Sequence, residues 1–386
     1  MADLALFVVA IWIYLLAFRG AFWRVERVPA PDLTSAPSVV AVVPARDEAE
    51  FIGGAVASLL AQDYPGELRI IVVDDHSSDS TAEIARAAGP PDKVTVLTGE
   101  QMPPGWTGKL WAMNQGVAVA AERAAEYLLL TDADIVHESG NIRGLVARAE
   151  REHRDLVSLM VRLHCHGAWE RLLVPSFVFF FFKLYPPRWV ASPTHRTAAA
   201  AGGCVLLRRA ALERIGGLDT IRGEIIDDCA LAGQVKPGGA IWLGLGDGAR
   251  SIRPYRSWRE LWDMIARCAF AQLGYSAPAL AGATAGMALT YLVPPLVVFC
   301  AHGLAAKALG ALAWAMMSAS FVPILRFYRC PIWIAPLLPL IALFYIAATC
   351  ASAVQFWRGR GGAWKGRFQA PATRPERLRR TPDGAG

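Results

Sequence analysis

Tyr127-Leu128-Leu129-Leu130-Thr131-Asp132-Ala133-Asp134 is the stretch whose reading decides the fold. A short apolar run with no helical spacing predicts a buried strand. It ends in Asp-x-Asp, so two carboxylates point at the carboxyl edge of a sheet. In open α/β sheets that edge is where ligands bind. Two hard oxygen donors there suit a divalent cation shared with a ligand diphosphate. A loop that merely contains two Asp is the competing reading. It loses ground because a second acidic strand end, Ile70-Ile71-Val72-Val73-Asp74-Asp75, stands upstream at a βαβ distance.

Outward from these two strands the pattern alternates. Val39 to Val43 predicts a buried strand, left by Pro44-Ala45-Arg46-Asp47-Glu48, and Phe51 to Ala61 has helical spacing. Ser77 to Thr81 offers capping groups for a helix. Val94 to Leu97 is a third strand, Gly105 to Lys109 a Gly-rich turn, and Leu110 to Ala124 a helix. Strand-helix alternation predicts an α/β domain with a mostly parallel sheet and right-handed crossovers. Beyond Asp134 the alternation loosens. Ile142 to Glu152 reads as an amphipathic helix, and Leu156 to His166 as a strand with His164 and His166 on one face. Those two His lack a further ligand in view, so a structural role is favoured over a metal site. Val174 to Leu184 carries Phe177 and Phe179 to Phe182. It reads as an interfacial helix, with a buried core helix as the alternative.

The chain has 386 residues, 54% of them apolar, unevenly spread. Leu4 to Trp23 is one apolar stretch, and Ala277 to Trp357 holds three more, each near the transmembrane length of about 20 residues. The expected layout is a transmembrane helix at 1–24, a soluble domain at 25–270 with an interfacial segment at 172–187, and a membrane region of about three helices at 271–357. A basic tail follows at 358–386. Asp3 and the missing small-x-small site argue against a cleaved signal. Arg19, Arg24 and Arg27 put the N-terminus outside and the soluble domain in the cytoplasm, at a bacterial-type inner membrane.

Seven cysteines are scattered without a Cys-x-x-Cys pair, so neither a zinc site nor a disulfide framework is expected. Of the net +6 charge, the densest cluster (Arg358 to Arg380) lies in the tail and suits anionic headgroups rather than nucleic acid. Three full spans would carry this tail outside, against the positive-inside rule. Ala277 to Cys300, with Pro294-Pro295, is therefore the segment expected to bend back.

The chain resembles family 2 glycosyltransferases of the GT-A fold over about Val39 to Arg267. The matching residues are Val43-Pro44-Ala45-Arg46-Asp47-Glu48, Val73 to Thr81, Thr131-Asp132-Ala133-Asp134, Ala201-Gly202-Gly203-Cys204 and Ile226 to Ala232. The resemblance implies a GT-A-like, Rossmann-related domain flanked by transmembrane helices, and sugar transfer from a nucleotide-sugar donor. Gly105-Trp106-Thr107-Gly108-Lys109, the membrane layout and Trp364-Lys365-Gly366-Arg367 resemble the hopanoid-biosynthesis-associated subgroup, which implies a hopanoid or related isoprenoid acceptor.

Sugar transfer needs a nucleoside clamp, charge neutralisation at the diphosphate, a base and room for the acceptor. Asp75 at its strand end can accept from a pyrimidine or ribose. The motif match adds Pro44, Arg46 and Asp47 or Glu48 to the donor site. Asp74 supports the turn or caps a helix. By resemblance Asp134 is the more direct ligand of Mg²⁺ or Mn²⁺, with Asp132 beside it and on the donor. Lys109 is either a cation for the diphosphate or a surface lysine. Asp227 and Asp228 are adjacent carboxylates among apolar residues, which raises a carboxylate pKa and suits a base. By resemblance the base is Asp228. Gly202 and Gly203 leave room for an acceptor or make a tight turn. Arg267 matches the cation of a Gln/Arg-x-x-Arg-Trp element whose Trp is missing here, which weakens a polysaccharide-synthase reading.

These residues predict an inverting, metal-dependent, membrane-bound glycosyltransferase that uses a lipid hydroxyl acceptor. The rivals are a polyprenyl-phosphate glycosyltransferase, whose acceptor needs no strong base, and a catalytically silent membrane scaffold.

Overall fold

The computed structural model describes residues 1–26, 31–364 and 367–368. After α1 (Ala2–Phe18), the chain alternates through β1 (Val39–Ala45), α2 (Ile52–Leu60), β2 (Leu68–Asp74), α3 (Thr81–Ala87), β3 (Val94–Thr98), α4 (Gly108–Glu122) and β4 (Tyr127–Thr131). β1 pairs in parallel with both β2 and β4, and β2 with β3. Every residue of β1 is buried, as expected of a central parallel strand covered on both faces. Each such Val stabilises the fold by about 1.5–3 kcal/mol relative to exposure.

The second half is β5 (Ile135–His137), α5 (Asn141–Arg151), β6 (Arg154–Arg162), α6 (Ala168–Leu184), α7 (Pro187–Ala191), β7 (Cys204–Arg208), α8 (Arg209–Arg214), α9 (Asp227–Val235) and β8 (Ala240–Ser251). The eight-stranded sheet has the order β3-β2-β1-β4-β7-β6-β8-β5. β7 runs antiparallel to β4 and β6, and β5 antiparallel to β8, so the sheet is mixed. The reversals matter. Cys204 pairs with Thr131, which sets Gly202 and Gly203 beside the Asp-x-Asp stretch. Ser251 pairs with Ile135, which brings the end of β8 to the same edge.

β6 stops at Arg162, short of the expected end at His166. The cause is Glu170, buried in the first turn of α6. It accepts from His164 Nδ1 at 2.7 Å and from the backbone N–H groups of His166 and Gly167 at 2.8 and 2.7 Å. This cap pulls 164–167 out of the strand direction, and the His pair is structural.

The remaining helices are α10 (Trp258–Gln272), α11 (Ala277–Met287), α12 (Val293–Cys300), α13 (Leu304–Phe327) and α14 (Leu338–Trp357). Ala277–Cys300, Leu304–Phe327 and Ile332–Trp357 are long and apolar enough to cross a membrane, and Ala2–Phe18 is a shorter apolar helix. Ala277–Cys300 is interrupted by a π turn at Ala288–Leu292. Pro294 has no N–H for the Thr290 carbonyl. Trp12 Nε1 donates to that carbonyl instead, at 3.0 Å. The π turn and the proline pair thus interrupt the regular helical ladder of this segment, and α1 satisfies the freed acceptor.

The Phe-rich run lies in α6, with Phe179 and Phe182 buried and Phe177, Phe180 and Phe181 half-buried against the same core. Phe179 sits between Phe22 and Phe321, at ring distances of 5.4 and 5.3 Å, and Phe180 meets Tyr345 at 4.8 Å. These rings join the sheet body to the long apolar helices. Cys165 and Cys330, both free thiols, meet across the same joint with 3.7 Å between sulfurs. The side chains of Lys365 and Arg367, and residues 369–386, lie outside the described residues, as do the roles expected of the tail.

Candidate active site

The carboxyl edge of β1, β2 and β4 gathers most of the expected donor residues. Arg46 Nη1 donates to the Asp75 carbonyl at 2.6 Å and lies 3.5 Å from Asp75 Oδ2. Asp47 adopts φ 50° and accepts from the Ser78 N–H at 2.7 Å. The Glu48 N–H donates to Thr81 Oγ1 at 2.8 Å. The loops after β1 and β2 are therefore stitched into one rigid wall. Pro44 stands within β1, opposite Val73. Asp74 accepts from the Ser77 N–H at 3.3 Å and serves the turn. Asp75 is only 3% exposed.

The densest charge lies where β4, α4, β7 and α9 converge. Lys109, in the first turn of α4, places its Nζ 2.8 Å from Asp132 Oδ1 and 3.3 Å from Asp227 Oδ2. Burial alone would pull its ammonium pKa down, but Asp132 and Asp227, with Asp228, more than reverse this and leave it raised. Lys109 belongs to the carboxylate cluster and is not a solvated surface lysine. The Asp132 pKa is raised by burial first. Lys109 opposes the rise, and Asp134 and Asp227 add to it.

Asp228 sits in the first turn of α9. Its Oδ2 accepts from the Gly202 N–H and its Oδ1 from the Cys229 N–H, both at 2.7 Å. Burial, reinforced by Asp227, pushes its pKa up to about 6 against the opposing Lys109 and the two N–H donors. Each carboxylate oxygen can accept more than one bond, so Asp228 retains capacity for a proton. A Cβ on Gly202 would stand 3.3 Å from Asp228 Oδ2 and 3.4 Å from Lys109 Nζ, so the glycine keeps that space open. A Cβ on Gly203 would press on Val161 at 3.0 Å, so this glycine serves packing. Arg267, on α10, feels the Asp227 charge yet forms no carboxylate ion pair among the described residues.

Some participants were not anticipated. Arg253, just past β8, donates to Asp134 Oδ2 at 3.2 Å and to Glu48 Oε2, and lies 4.5 Å over the Phe51 ring. Ser251 Oγ donates to the same Asp134 oxygen at 2.8 Å. The polar cluster Ser251-Ile252-Arg253-Pro254-Tyr255 after a strand was the available signal. His137 was also missed. Burial lowers its pKa to about 4, so the ring is neutral. Asn141 Nδ2 and His137 Nδ1 are 2.9 Å apart, and His137 Nε2 and Thr131 Oγ1 3.0 Å. Thr131 Oγ1 in turn donates to the Gly203 carbonyl at 2.8 Å. The relay locks the end of β4 to the start of β7.

The donor chemistry fits a hard divalent ion. Asp132 feels the charge of Asp134, and Mg²⁺-type sites need only one or two carboxylates when phosphates and water complete the shell. Among the described residues no cluster of three or more His, Cys, Asp or Glu forms a metal site unaided.

Residues 40–216, which span β1 to β7, match the sequence model for glycosyl transferase family 2. The 4,4'-diaponeurosporenoate glycosyltransferase of Staphylococcus haemolyticus is 33% identical over 126 residues, 32% of this chain and 31% of that protein. The enzyme of the same name from Staphylococcus aureus strain bovine RF122 / ET3-1 is 34% identical over 100 residues, 25% of this chain and 24% of its own. The match thus spans under a third of these relatives' length. Among solved structures, the mannosyltransferase PcManGT from Pyrobaculum calidifontis, in complex with GDP-Man and Mn²⁺, superposes with TM-score 0.53 at 20% identity. The superposition covers 92% of this chain and 98% of that one. The fold is a mixed α/β sheet domain of the GT-A type, and the segment that builds most of its sheet carries the family 2 glycosyltransferase pattern.

Proposed function

We propose that the protein is an inverting glycosyltransferase that moves a sugar from a nucleoside-diphosphate donor to a lipid acceptor at the cytoplasmic face of a bacterial inner membrane. The observation that carries this reading is the convergence of Lys109, Asp132, Asp227 and Asp228 beside Gly202 at the carboxyl edge of the sheet. The domain layout read from the sequence, with soluble domain 25–270 between apolar segments, belongs to the same proposal.

The wall of Arg46, Asp47, Glu48 and Asp75 receives the nucleoside. Asp134 and Asp132 would hold a divalent ion, which stabilises the charge that develops on the leaving diphosphate. Lys109 and Arg267 add fixed positive charge on the same side. Asp228 accepts the acceptor hydroxyl's proton as its oxygen attacks the anomeric carbon. The nucleoside diphosphate departs from the opposite face, so configuration inverts. A base with pKa near 6 is largely ionised at neutral pH and still basic enough to help.

The subgroup resemblance favours a hopanoid or isoprenoid hydroxyl as acceptor. A second reading rests on the relatives' name, which makes their acceptor diaponeurosporenoate, an apolar acid. A carboxylate acceptor, like a polyprenyl phosphate, is already ionised and would leave Asp228 little to do. Thermal unfolding of the detergent-solubilised protein tests the donor half. Nucleoside diphosphates with Mn²⁺ or Mg²⁺ should raise the Tm of wild type and not of Asp134→Ala. No shift with any nucleotide in wild type would overturn the donor assignment.

A further inference from the structure

Because the Phe run is largely taken up by packing against the core, a question is left: where does the apolar body of the acceptor go? The first turn of the same helix supplies a place. Trp169 and Leu172 of α6, Trp258 and Trp262 of α10, and Leu340 and Phe344 of α14 line an open groove of about 380 Å³ with no charged residue in its lining. This volume lies within the roughly 300–1,000 Å³ of small-molecule sites. Its tryptophans are incompletely packed, with Trp169 at 49% and Trp258 at 38% exposure.

Two observations say what fills it. The outer wall, Leu340 and Phe344, belongs to Ile332–Trp357, which is long and apolar enough to cross a membrane. Ile332, Trp333 and Leu343 of that segment are exposed as well, so the wall of the groove belongs to a segment that offers further apolar side chains to a surrounding lipid phase. Its inner end is tied to the catalytic edge by one short stretch of chain. Arg253 holds Asp134, the Tyr255 N–H donates to Glu170 at 2.7 Å, and Trp258 enters the groove. Trp258 stands five positions after Arg253, so the groove begins within about 18 Å of the Asp134 partner even if that chain were fully extended. Arg259 stacks on Trp258 at 5.4 Å and puts a cation at the rim.

Resting on the lipid-acceptor reading above, we infer that this groove holds the hydrocarbon chain of the acceptor and guides its polar end toward Asp228. The Trp-lined start of α6, not its Phe run, meets the lipid.

The test uses the full chain in detergent micelles and two independent readouts. The first is photolabelling with a diazirine-bearing polyprenol. Label should enter segments 169–173, 258–262 and 337–344, and excess unlabelled polyprenol should compete it away. Label spread over exposed apolar residues such as Phe299, without competition, would overturn the inference. The second is kinetic. Trp169→Ser and Leu340→Ser alter exposed positions and should fold. Each should raise the KM for a long-chain lipid acceptor by about tenfold, the worth of one apolar side chain. Donor hydrolysis without acceptor should not change. Phe299→Ser, which removes an exposed apolar side chain elsewhere, should leave that KM alone. Equal effects of all three variants would refute a specific groove. Failure of the lipid-transfer reading would instead appear as absent transfer in wild type, while the photolabelling pattern still reports on the groove.

Discussion

The Gly202 amide donates to Oδ2 of Asp228 at 2.7 Å, joining the entry of β7 to the first turn of α9. This contact aims the carboxylate at the space that Gly202 leaves empty. Asp228→Asn should therefore keep donor binding and lose transfer by about 10²–10⁴-fold. Single-turnover assays with measured donor affinity check this. Loss of donor binding instead would move Asp228 to the donor side, and a near-normal rate would favour an acceptor that is already ionised.

The raised Asp228 pKa also sets a pH dependence. A base must be ionised, so kcat/KM should fall as pH drops through about 6. Asp227→Asn removes a charge that raises the pKa, so the limb should shift to lower pH. A limb that stays put would assign it elsewhere.

Arg253 bridges Glu48 on the proposed nucleoside wall and Asp134 at the proposed metal position. Arg253→Ala should weaken donor affinity by about tenfold, the scale of one charge-assisted contact, with the fold retained. Titration of the donor by calorimetry reads the effect. Unchanged affinity would confine Arg253 to holding the two loops together.

His137 makes the fold acid-sensitive. Its folded pKa of about 4 lies below the ordinary histidine value of about 6.5. The unfolded chain therefore binds the extra proton first, and stability falls as pH drops from 6.5 through 4, by about 3 kcal/mol at most. His137→Gln should be less stable at pH 7 but lose less on acidification. Parallel Tm-versus-pH curves would refute this role.

The strands that open the domain were legible because buried parallel strands are short, β-branched and end in distinctive acids. β1, β2, β3 and β4 begin and end within two residues of expectation. The Asp132–Asp134 stretch and the Asp227–Asp228 pair were legible as carboxylates at element ends. Their meeting through Lys109 was not, since no local pattern states that α4 and α9 share a face. Arg253 was hidden for a similar reason: only the antiparallel β5–β8 pairing carries it to Asp134. The Phe run shows the limit of composition, because rings at a bilayer surface and rings between helices look alike in sequence. His164 and His166 followed the period of a strand that Glu170 had already ended.

The most direct measurement follows the sugar itself. Purified protein in lipid nanodiscs would be given a panel of radiolabelled nucleotide sugars, Mn²⁺ and bacterial lipid extract, and the organic phase counted. At least one donor should pass its label to the lipid phase with wild type, and neither Asp134→Ala nor Asp228→Asn should match it. Folded wild-type protein that leaves every donor intact and every lipid unlabelled would contradict the account.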